Sequence, residues 1–201
     1  MTDQSNDAAV SALSRLTFVG GGHLAAAMVR GFYSRNTSQH KYQIAITARR
    51  SERAKELRAQ FPGALITLDN LDPMIWRPAA KTEQNSHTVF ICTRPADIKD
   101  VLLQLAPMLE MIPVKERPTV LTTTAGILVE QLKSWLPEGT AIVKCMPNTP
   151  TAYGQGATAI YPSQEAINRV DAVVSLLRHI SPTVSILQEE GHLNIAAAIA
   201  G

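Results

Sequence analysis

The chain has 201 residues and a formal net charge of +2, with 19 Lys and Arg against 17 Asp and Glu. This length suits one α/β domain with a sizeable core, with or without a small appendage, and excludes two domains of full size. The basic residues are scattered rather than clustered, so the charge pattern indicates neither nucleic acid nor a membrane surface as a partner.

The two cysteines, Cys92 and Cys145, lie in apolar runs that are typical of strands. Their number and setting argue against a disulfide scaffold and predict a reduced, cytoplasmic location. No apolar stretch reaches the ~18 residues that can span a bilayer, and the first 14 residues lack the apolar centre of a signal peptide. We therefore expect residues 1–15 to form a disordered tail.

A glycine-rich motif follows the first apolar run, Leu16 to Val19, which predicts a buried strand. Gly20, Gly22 and Ala25 have the spacing G-x-G-x-x-A. The first glycine allows a tight turn, the second lets the backbone approach a pyrophosphate, and the alanine lets the next helix lie close on the strand. The helix N-terminus then faces the phosphates with free N–H groups. Alone the motif is weak, because a plain glycine turn has the same sequence.

Apolar and amphipathic segments alternate along the rest of the chain. Further strands are predicted over residues 42–47, 64–68, 87–93, 118–122, 140–146, 154–161 and 182–187. Helices are predicted from the glycines to Tyr33 and over residues 52–60, 71–76, 96–111, 127–135 and 164–180, with Ser51 as the cap of the second. Residues 77–86 indicate a surface loop. The order predicts an α/β fold, a Rossmann-like, doubly wound, mostly parallel sheet with added strands at the C-terminal edge, over residues 16–188.

The end of the second predicted strand indicates which nucleotide would bind. In dinucleotide-binding folds an acidic residue there binds the ribose 2′-hydroxyl of NAD. Here no carboxylate occurs before Glu52, and Arg49 and Arg50 stand where a 2′-phosphate would lie. Because Arg pairs with phosphate through several donors, this favours NADP(H) over NAD(H). The same two arginines also suit the solvated start of a helix.

Four segments carry motifs in order along the chain: Phe18 to Ala25, Arg94-Pro95, Thr124 to Gly126, and residues 144–150, which are Lys-Cys-Met-Pro-Asn-Thr-Pro. Together they resemble the pyrroline-5-carboxylate reductase family over residues 16–201, and the last motif is highly specific to it. The resemblance implies reduction of 1-pyrroline-5-carboxylate, a cyclic imino acid, to L-proline with NADPH, as a step of proline biosynthesis. Two departures are Arg94, where the family has Lys, and His23, where it often has Asn or Gln.

The resemblance also implies a cofactor site. Its implied residues are Val19, Gly20, Gly21, Gly22, His23 and Leu24 on the pyrophosphate, Thr47, Ala48 and Arg49 on the 2′-phosphate, Asn70 near the adenosine, Cys92, Thr93, Arg94 and Pro95 on the nicotinamide side, and Thr123, Thr124 and Ala125 in the next loop. Asn148 is predicted to line the substrate pocket, because the flanking prolines fix its loop and its amide both donates and accepts. Without the resemblance, the same prolines would indicate only a turn.

Residues 189–201 resemble the start of the family's linker or second-domain helix, with Ala197 and Ala200 where Thr and Ser are usual. In the family that second domain makes the dimer, so a homo-oligomer is expected only where it is present. Two alternatives stay open, a non-catalytic NADP(H)-binding or sensing protein and a related NADP-dependent oxidoreductase. The sequence contains no paired carboxylates, Ser-His-Asp set or metal-spaced cluster, and hydride transfer from a cofactor needs none of these.

Overall fold

The computed structural model describes residues 13–34, 41–76 and 87–195. The first twelve residues of the predicted tail, the loop 77–86 and residues 196–201 lie outside the described residues. The strands are β1 Leu13–Val19, β2 Lys41–Thr47, β3 Leu65–Thr67, β4 His87–Ile91, β5 Thr119–Thr122, β6 Ile142–Pro147, β7 Ala157–Pro162 and β8 Thr183–Ile186. The α-helices are α1 His23–Ser34, α2 Ser51–Gln60, α3 Pro73–Trp76, α4 Ile98–Glu110, α5 Val129–Lys133 and α6 Val170–Leu177, and 3-10 helices span Thr149–Tyr153 and Gln164–Arg169.

One sheet of eight strands has the order β3-β2-β1-β4-β5-β6-β7-β8. All neighbouring pairs from β3 to β6 are parallel, β7 is antiparallel to β6, and β8 is parallel to β7. This arrangement confirms the predicted α/β fold with added strands at the C-terminal edge. The chain builds outward from β1 in one direction and from β4 in the other, so the order reverses between these two strands. A crevice at such a switch point, beyond the carboxyl ends of the strands, is where ligands bind in open α/β sheets.

Successive apolar side chains of the strands lie on opposite faces of the sheet, and they form a core on each face. On one face Phe18 and Phe90 stack with ring centroids 4.5 Å apart, and Phe32 of α1 packs against both. Helices α2 and α6 cover the same face through residues such as Leu57 and Leu177. Helices α3, α4 and α5 cover the other face. Burial on both faces explains why the central strands are nearly continuous apolar runs.

Two predicted boundaries are wrong in ways that have a local cause. Strand β1 begins at Leu13, because residues 13–15 pair in register with residues 41–43 of β2. These three residues therefore belong to the sheet and not to the predicted tail. The predicted cap, Ser51, is the first residue of α2, and its hydroxyl bonds the Glu52 carboxylate at 3.0 Å while Arg50 occupies the N-cap position without a side-chain bond.

The helix predicted over residues 164–180 is divided in two. It begins as a 3-10 helix, Gln164–Arg169, and continues as α6, Val170–Leu177. The junction lies at Arg169, whose backbone has φ −110° and ψ −2°. Its guanidinium donates to the carbonyl oxygen of Arg117 at 2.6 Å, which ties the junction to the segment before β5. Among the described residues, no helix combines the length and apolar character needed to cross a membrane.

Candidate dinucleotide-binding site

A tight turn joins β1 to α1 at the carboxyl edge of the sheet. Gly20 has φ +97°, a conformation that favours glycine. Its N–H donates to Thr47 Oγ1 at 3.1 Å, and the N–H of Gly21 donates to the Thr47 carbonyl oxygen at 2.7 Å. A Cβ on Gly20 would lie 3.0 Å from the carbonyl oxygen of Cys92. The turn is therefore held between the ends of β2 and β4.

The next two glycines have different surroundings. A Cβ on Gly21 would lie 2.5 Å from Leu57 Cδ1 and 3.1 Å from the Thr47 carbonyl oxygen. Gly22 is exposed, and a Cβ there would meet nothing within 4 Å. Packing thus requires glycine at position 21, whereas position 22 leaves open space beside the start of α1. Such space at a helix N-terminus fits a phosphate group.

Arg53 of α2 contacts this turn, and the sequence does not predict this contact. Its Nε donates to the Gly21 carbonyl oxygen at 2.7 Å and its Nη2 to the Gly22 carbonyl oxygen at 3.4 Å. Its Nη1 forms an ion pair with Glu56 at 2.6 Å. Arg53 lies among alternating charges on α2, a pattern typical of a solvated helix face, so the sequence gives no sign of this contact. The arrangement fixes the turn and places a positive charge beside it.

Arginines from two strand ends meet a carboxylate from the start of α4. Arg94 Nε donates to Asp97 Oδ2 at 2.8 Å, and Arg49 Nη1 lies 3.9 Å from Asp97 Oδ1. The bond from Arg94 holds the pKa of the Asp97 carboxyl below its usual value. The Arg49 side chain is 77% exposed, so it is open to an anion from solvent. Sequence reasoning found no acid beside Arg49 because Asp97 comes from a distant part of the chain.

Buried threonine hydroxyls lie at the ends of β4 and β5. Thr93 Oγ1 and Thr124 Oγ1 are buried and have no hydrogen-bond partner among the described residues. Thr93 borders the glycine turn, since its Cγ2 would lie 3.1 Å from a Cβ on Gly20. A buried hydroxyl without a partner costs roughly 1–3 kcal/mol. Both hydroxyls therefore suit a polar ligand that completes their hydrogen bonding.

Cys92 stands between the turn and these threonines. Its N–H donates to the Val19 carbonyl oxygen at 2.8 Å, which continues the pairing of β4 with β1. Burial raises the pKa of its thiol to about 12. The thiol is therefore protonated at neutral pH, and it packs rather than acting as a nucleophile. Both Cys92 and Cys145 are free, as the sequence predicts.

Asn148, predicted as a pocket residue, uses its oxygens to shape the turn after β6. Its Oδ1 accepts a bond from the Ala157 N–H at 2.8 Å. Its carbonyl oxygen accepts from the Thr151 N–H at 3.2 Å and from the Thr151 hydroxyl at 2.9 Å. These bonds join the end of β6 to β7 and to the 3-10 helix between them. The contacts match the turn-forming role that the flanking prolines indicate by themselves.

Asn70 lies apart from the glycine turn, after β3. Its Nδ2 donates to Gln104 of α4 at 3.0 Å, and its carbonyl oxygen accepts from Trp76 Nε1 at 2.8 Å. The other predicted cofactor residues follow the ends of four neighbouring parallel strands. They are Val19 to Leu24 from the last residue of β1 onward, Thr47 to Arg49 from the last residue of β2 onward, Cys92 to Pro95 after β4 and Thr123 to Ala125 after β5.

The residues at this edge fit a bound dinucleotide. Gly22 leaves room for a phosphate, Arg49 supplies an exposed cation, and Thr93 and Thr124 supply buried hydroxyls without partners. Within the described residues, no group of three or more His, Cys, Asp or Glu side chains could hold a metal ion. Fold and site together define a domain of the Rossmann type whose carboxyl edge suits a dinucleotide.

Comparison with known proteins gives the family context. Residues 15–112 match a family model described as NADP oxidoreductase coenzyme F420-dependent. A protein of Gibberella fujikuroi, delta-1-pyrroline-5-carboxylate reductase apf3, is 34% identical over 193 residues, which are 94% of this chain and 65% of that protein. This chain therefore spans less than two thirds of the length of that relative.

Solved structures show the same fold. A pyrroline-5-carboxylate reductase from Coxiella burnetii matches with a TM-score of 0.73 and 24% identity, over 92% of this chain and 63% of that one. The Plasmodium falciparum pyrroline carboxylate reductase, solved with NADP bound, matches with a TM-score of 0.62 and 17% identity, over 93% and 62% of the two chains. These findings confirm the resemblance drawn from the motifs: this chain is similar to the pyrroline-5-carboxylate reductases over most of its length.

Proposed function

We propose that this chain supplies the NADP(H)-binding domain of a pyrroline-5-carboxylate reductase. The reaction adds a hydride from NADPH to the C=N carbon of 1-pyrroline-5-carboxylate and a proton from water to its nitrogen, which gives L-proline and NADP⁺. The observation that carries the proposal is the pair of buried, unpartnered hydroxyls at this edge of the sheet, that of Thr93 beside the glycine turn and that of Thr124 after β5. The 34% identity to the Gibberella fujikuroi reductase supports the choice of substrate.

In this proposal the chain binds and orients, while NADPH when bound supplies the hydride. Gly20, Gly21 and Gly22 form the phosphate turn, and Thr47 fixes that turn from β2. Thr93 and Thr124 offer hydroxyls that can orient a polar ring at the ends of β4 and β5. Holding two reactants in a productive geometry can supply roughly 7–11 kcal/mol of a barrier, so positioning is a sufficient catalytic role for these residues.

The proposed cofactor preference is NADP(H) over NAD(H). Arg49, Arg50 and Arg53 gather where β2 runs into α2, and no carboxylate lies between Thr47 and Glu52 in the sequence. The carboxylate that reaches Arg49 belongs to Asp97, and Arg94 bonds it at the shorter distance of 2.8 Å against 3.9 Å. Arg49 therefore keeps donors for a 2′-phosphate. The free thiols of Cys92 and Cys145 support a reduced, cytoplasmic setting as part of the same proposal.

A nucleotide sensor without turnover is the second candidate. It is favoured by Asn148, whose amide oxygen accepts a bond from the Ala157 N–H and so takes part in the turn after β6.

Two measurements test the proposal. Titration of the chain with NADPH and with NADH, followed by cofactor fluorescence, should give tighter binding of NADPH. Oxidation of NADPH should then depend on 1-pyrroline-5-carboxylate and not on a 2-oxo acid. Absence of NADPH binding would overturn the proposal, and binding without substrate-dependent oxidation would favour the sensor.

A further inference from the structure

A buried ion pair joins β6 to the segment that follows β8. Lys144 Nζ lies 2.8 Å from Glu190 Oε1, and the two side chains are 4% and 16% exposed. Lys144 is on β6, four residues before Asn148, and its charge is buried next to the core on the α5 side of the sheet. Removing two charges from water is costly, and apolar residues of similar size are often as stable in such a place. Stability alone therefore does not explain why an ion pair occupies this position.

The pair also binds the backbone where the β5–α5 loop ends. Lys144 Nζ donates to the Ile127 carbonyl oxygen at 2.5 Å. Glu190 Oε1 accepts a bond from the Val129 N–H at 2.8 Å. These two bonds bracket a single residue, Leu128. Hydrogen bonds that involve a charged group are about twice as strong as neutral ones, so the ion pair is a firm anchor for this backbone.

The anchored loop carries three of the proposed cofactor residues, Thr123 to Ala125. At its start the Thr123 N–H donates to the Ile91 carbonyl oxygen at 3.3 Å, and the Thr124 N–H donates to Thr122 Oγ1 at 3.2 Å. Between the two anchors stands Gly126, with φ +77° and nothing within 4 Å of the position of a Cβ. The loop is thus held at both ends around a glycine with open surroundings.

We propose that Lys144 and Glu190 are positioning residues for nucleotide binding. They act by fixing the far end of the loop that carries Thr124, and they couple the position of this loop to the segment after β8. The bonds to Ile127 and Val129 show that the pair holds the loop, and the effect on nucleotide binding rests on the proposed function. Lys144 and Glu190 touch no reacting atom in this proposal.

The test replaces both charges at once. In the double variant Lys144→Met with Glu190→Met, apolar side chains fill the space of the pair and offset the loss of the ion pair. The Ile127 carbonyl oxygen and the Val129 N–H lose these partners, so the thermal midpoint should fall modestly while the chain stays folded. A matched control is Lys133→Met with Glu165→Met, because that pair, at 2.9 Å, also joins α5 to a neighbouring element. The bonds of Lys133 go to the Glu130 and Glu165 side chains and not to the loop backbone.

Hydrogen exchange of the Thr123, Thr124 and Leu128 amides, each of which donates a hydrogen bond, is the first readout, since it needs no nucleotide. We expect exchange at least about tenfold faster in the Lys144 and Glu190 double variant, which corresponds to the loss of one charge-assisted bond. NADPH and NADH should both bind about tenfold more weakly, because the loop serves the part that the two cofactors share. The control pair should change neither readout.

A single variant, Glu190→Gln, covers the case in which the double variant fails to fold. Gln keeps an oxygen acceptor for the Val129 N–H, so loop exchange should fall between the unsubstituted chain and Glu190→Ala. Unchanged loop exchange in a folded double variant overturns the proposal, and so does unchanged affinity where the unsubstituted chain binds NADPH. If the unsubstituted chain binds no NADPH, the proposed function fails instead, and exchange alone decides whether the pair anchors the loop.

Discussion

Gly21 donates its N–H to the carbonyl oxygen of Thr47 at 2.7 Å, so the turn after β1 rests directly on the end of β2. The Thr47 hydroxyl accepts a second bond from Gly20. Because Leu57 of α2 closes the space above Gly21, two successive elements of the chain, β2 and α2, fix one turn. The open side of this turn is at Gly22, where the proposed phosphate site lies.

This contrast between neighbouring glycines gives a matched pair of variants. Gly21→Ala places a Cβ 2.5 Å from Leu57 Cδ1 and 3.1 Å from a backbone oxygen, so we expect it to lower the free energy of unfolding by about 1–3 kcal/mol through overpacking. The Cβ of Gly22→Val meets nothing within 4 Å, so this variant should leave the unfolding free energy within about 1 kcal/mol, yet weaken NADPH binding strongly. Denaturant unfolding and NADPH titration measure the two effects. Equal NADPH affinity in a folded Gly22→Val chain would show that the turn binds no phosphate.

Arg53 should affect both cofactors alike. Arg53→Gln removes the charged donors that hold the carbonyl oxygens of Gly21 and Gly22, and we expect NADPH and NADH to bind more weakly by a similar factor. Arg58→Gln is the control, because Arg58 lies on the same helix and donates to Ile66 instead of the turn. A loss confined to NADPH would mean that Arg53 meets the 2′-phosphate itself.

Arg49 should affect the choice between the cofactors. Arg49→Ala is expected to weaken NADPH binding by about 1–3 kcal/mol and to leave NADH binding nearly unchanged, since the 2′-phosphate is the group that only NADPH carries. Asp97→Asn should tighten NADPH binding, because it releases Arg49 from a competing carboxylate. Lys55→Ala, which removes an exposed cation further along α2, serves as the control. Titrations of both cofactors decide the matter, and equal affinities in the unsubstituted chain would contradict the preference.

The sequence predicts the backbone of this site better than its side-chain contacts. The motif from Gly20 to Ala25 and the alternation of strands and helices reflect local periodicity, and they predict the parallel sheet and the edge at which the site lies. Periodicity carries no strand direction, so the antiparallel pairing of β7 was missed. Contacts such as Arg53 with Gly21, or Glu190 with Lys144, join residues that are distant in sequence. Charged residues such as Arg53 and Glu190 also occur on ordinary solvated surfaces, so their sequence context does not predict these contacts. The packing of the whole domain determines which residues they contact.

A partly buried histidine outside the site, His87, gives the chain a dependence on pH. His87 Nε2 lies 3.0 Å from Thr17 Oγ1, and the Thr17 hydroxyl donates to the Ile75 carbonyl oxygen at 3.1 Å. Because that hydroxyl has one proton, its contact with His87 requires a ring that donates from Nε2. Burial, followed by the charge of Arg15, lowers the pKa of His87 to about 3 from its ordinary value of 6.5. The folded chain therefore holds His87 neutral at a pH where the unfolded chain protonates it.

The sign follows from proton binding. Below pH 6.5 the unfolded chain binds a proton at His87 that the folded chain does not bind until pH about 3. The free energy of unfolding should therefore fall as pH falls through this window, by about 1.4 kcal/mol per pH unit from His87. His87→Gln keeps a donor for Thr17 and removes the titration, so the difference between the two chains isolates this effect from that of the carboxylates. Urea unfolding of both chains at pH 7, 6, 5 and 4 should show that the unfolding free energy of the unsubstituted chain falls faster with decreasing pH than that of His87→Gln. An equal fall in both chains would show that His87 is protonated equally in the folded and unfolded states.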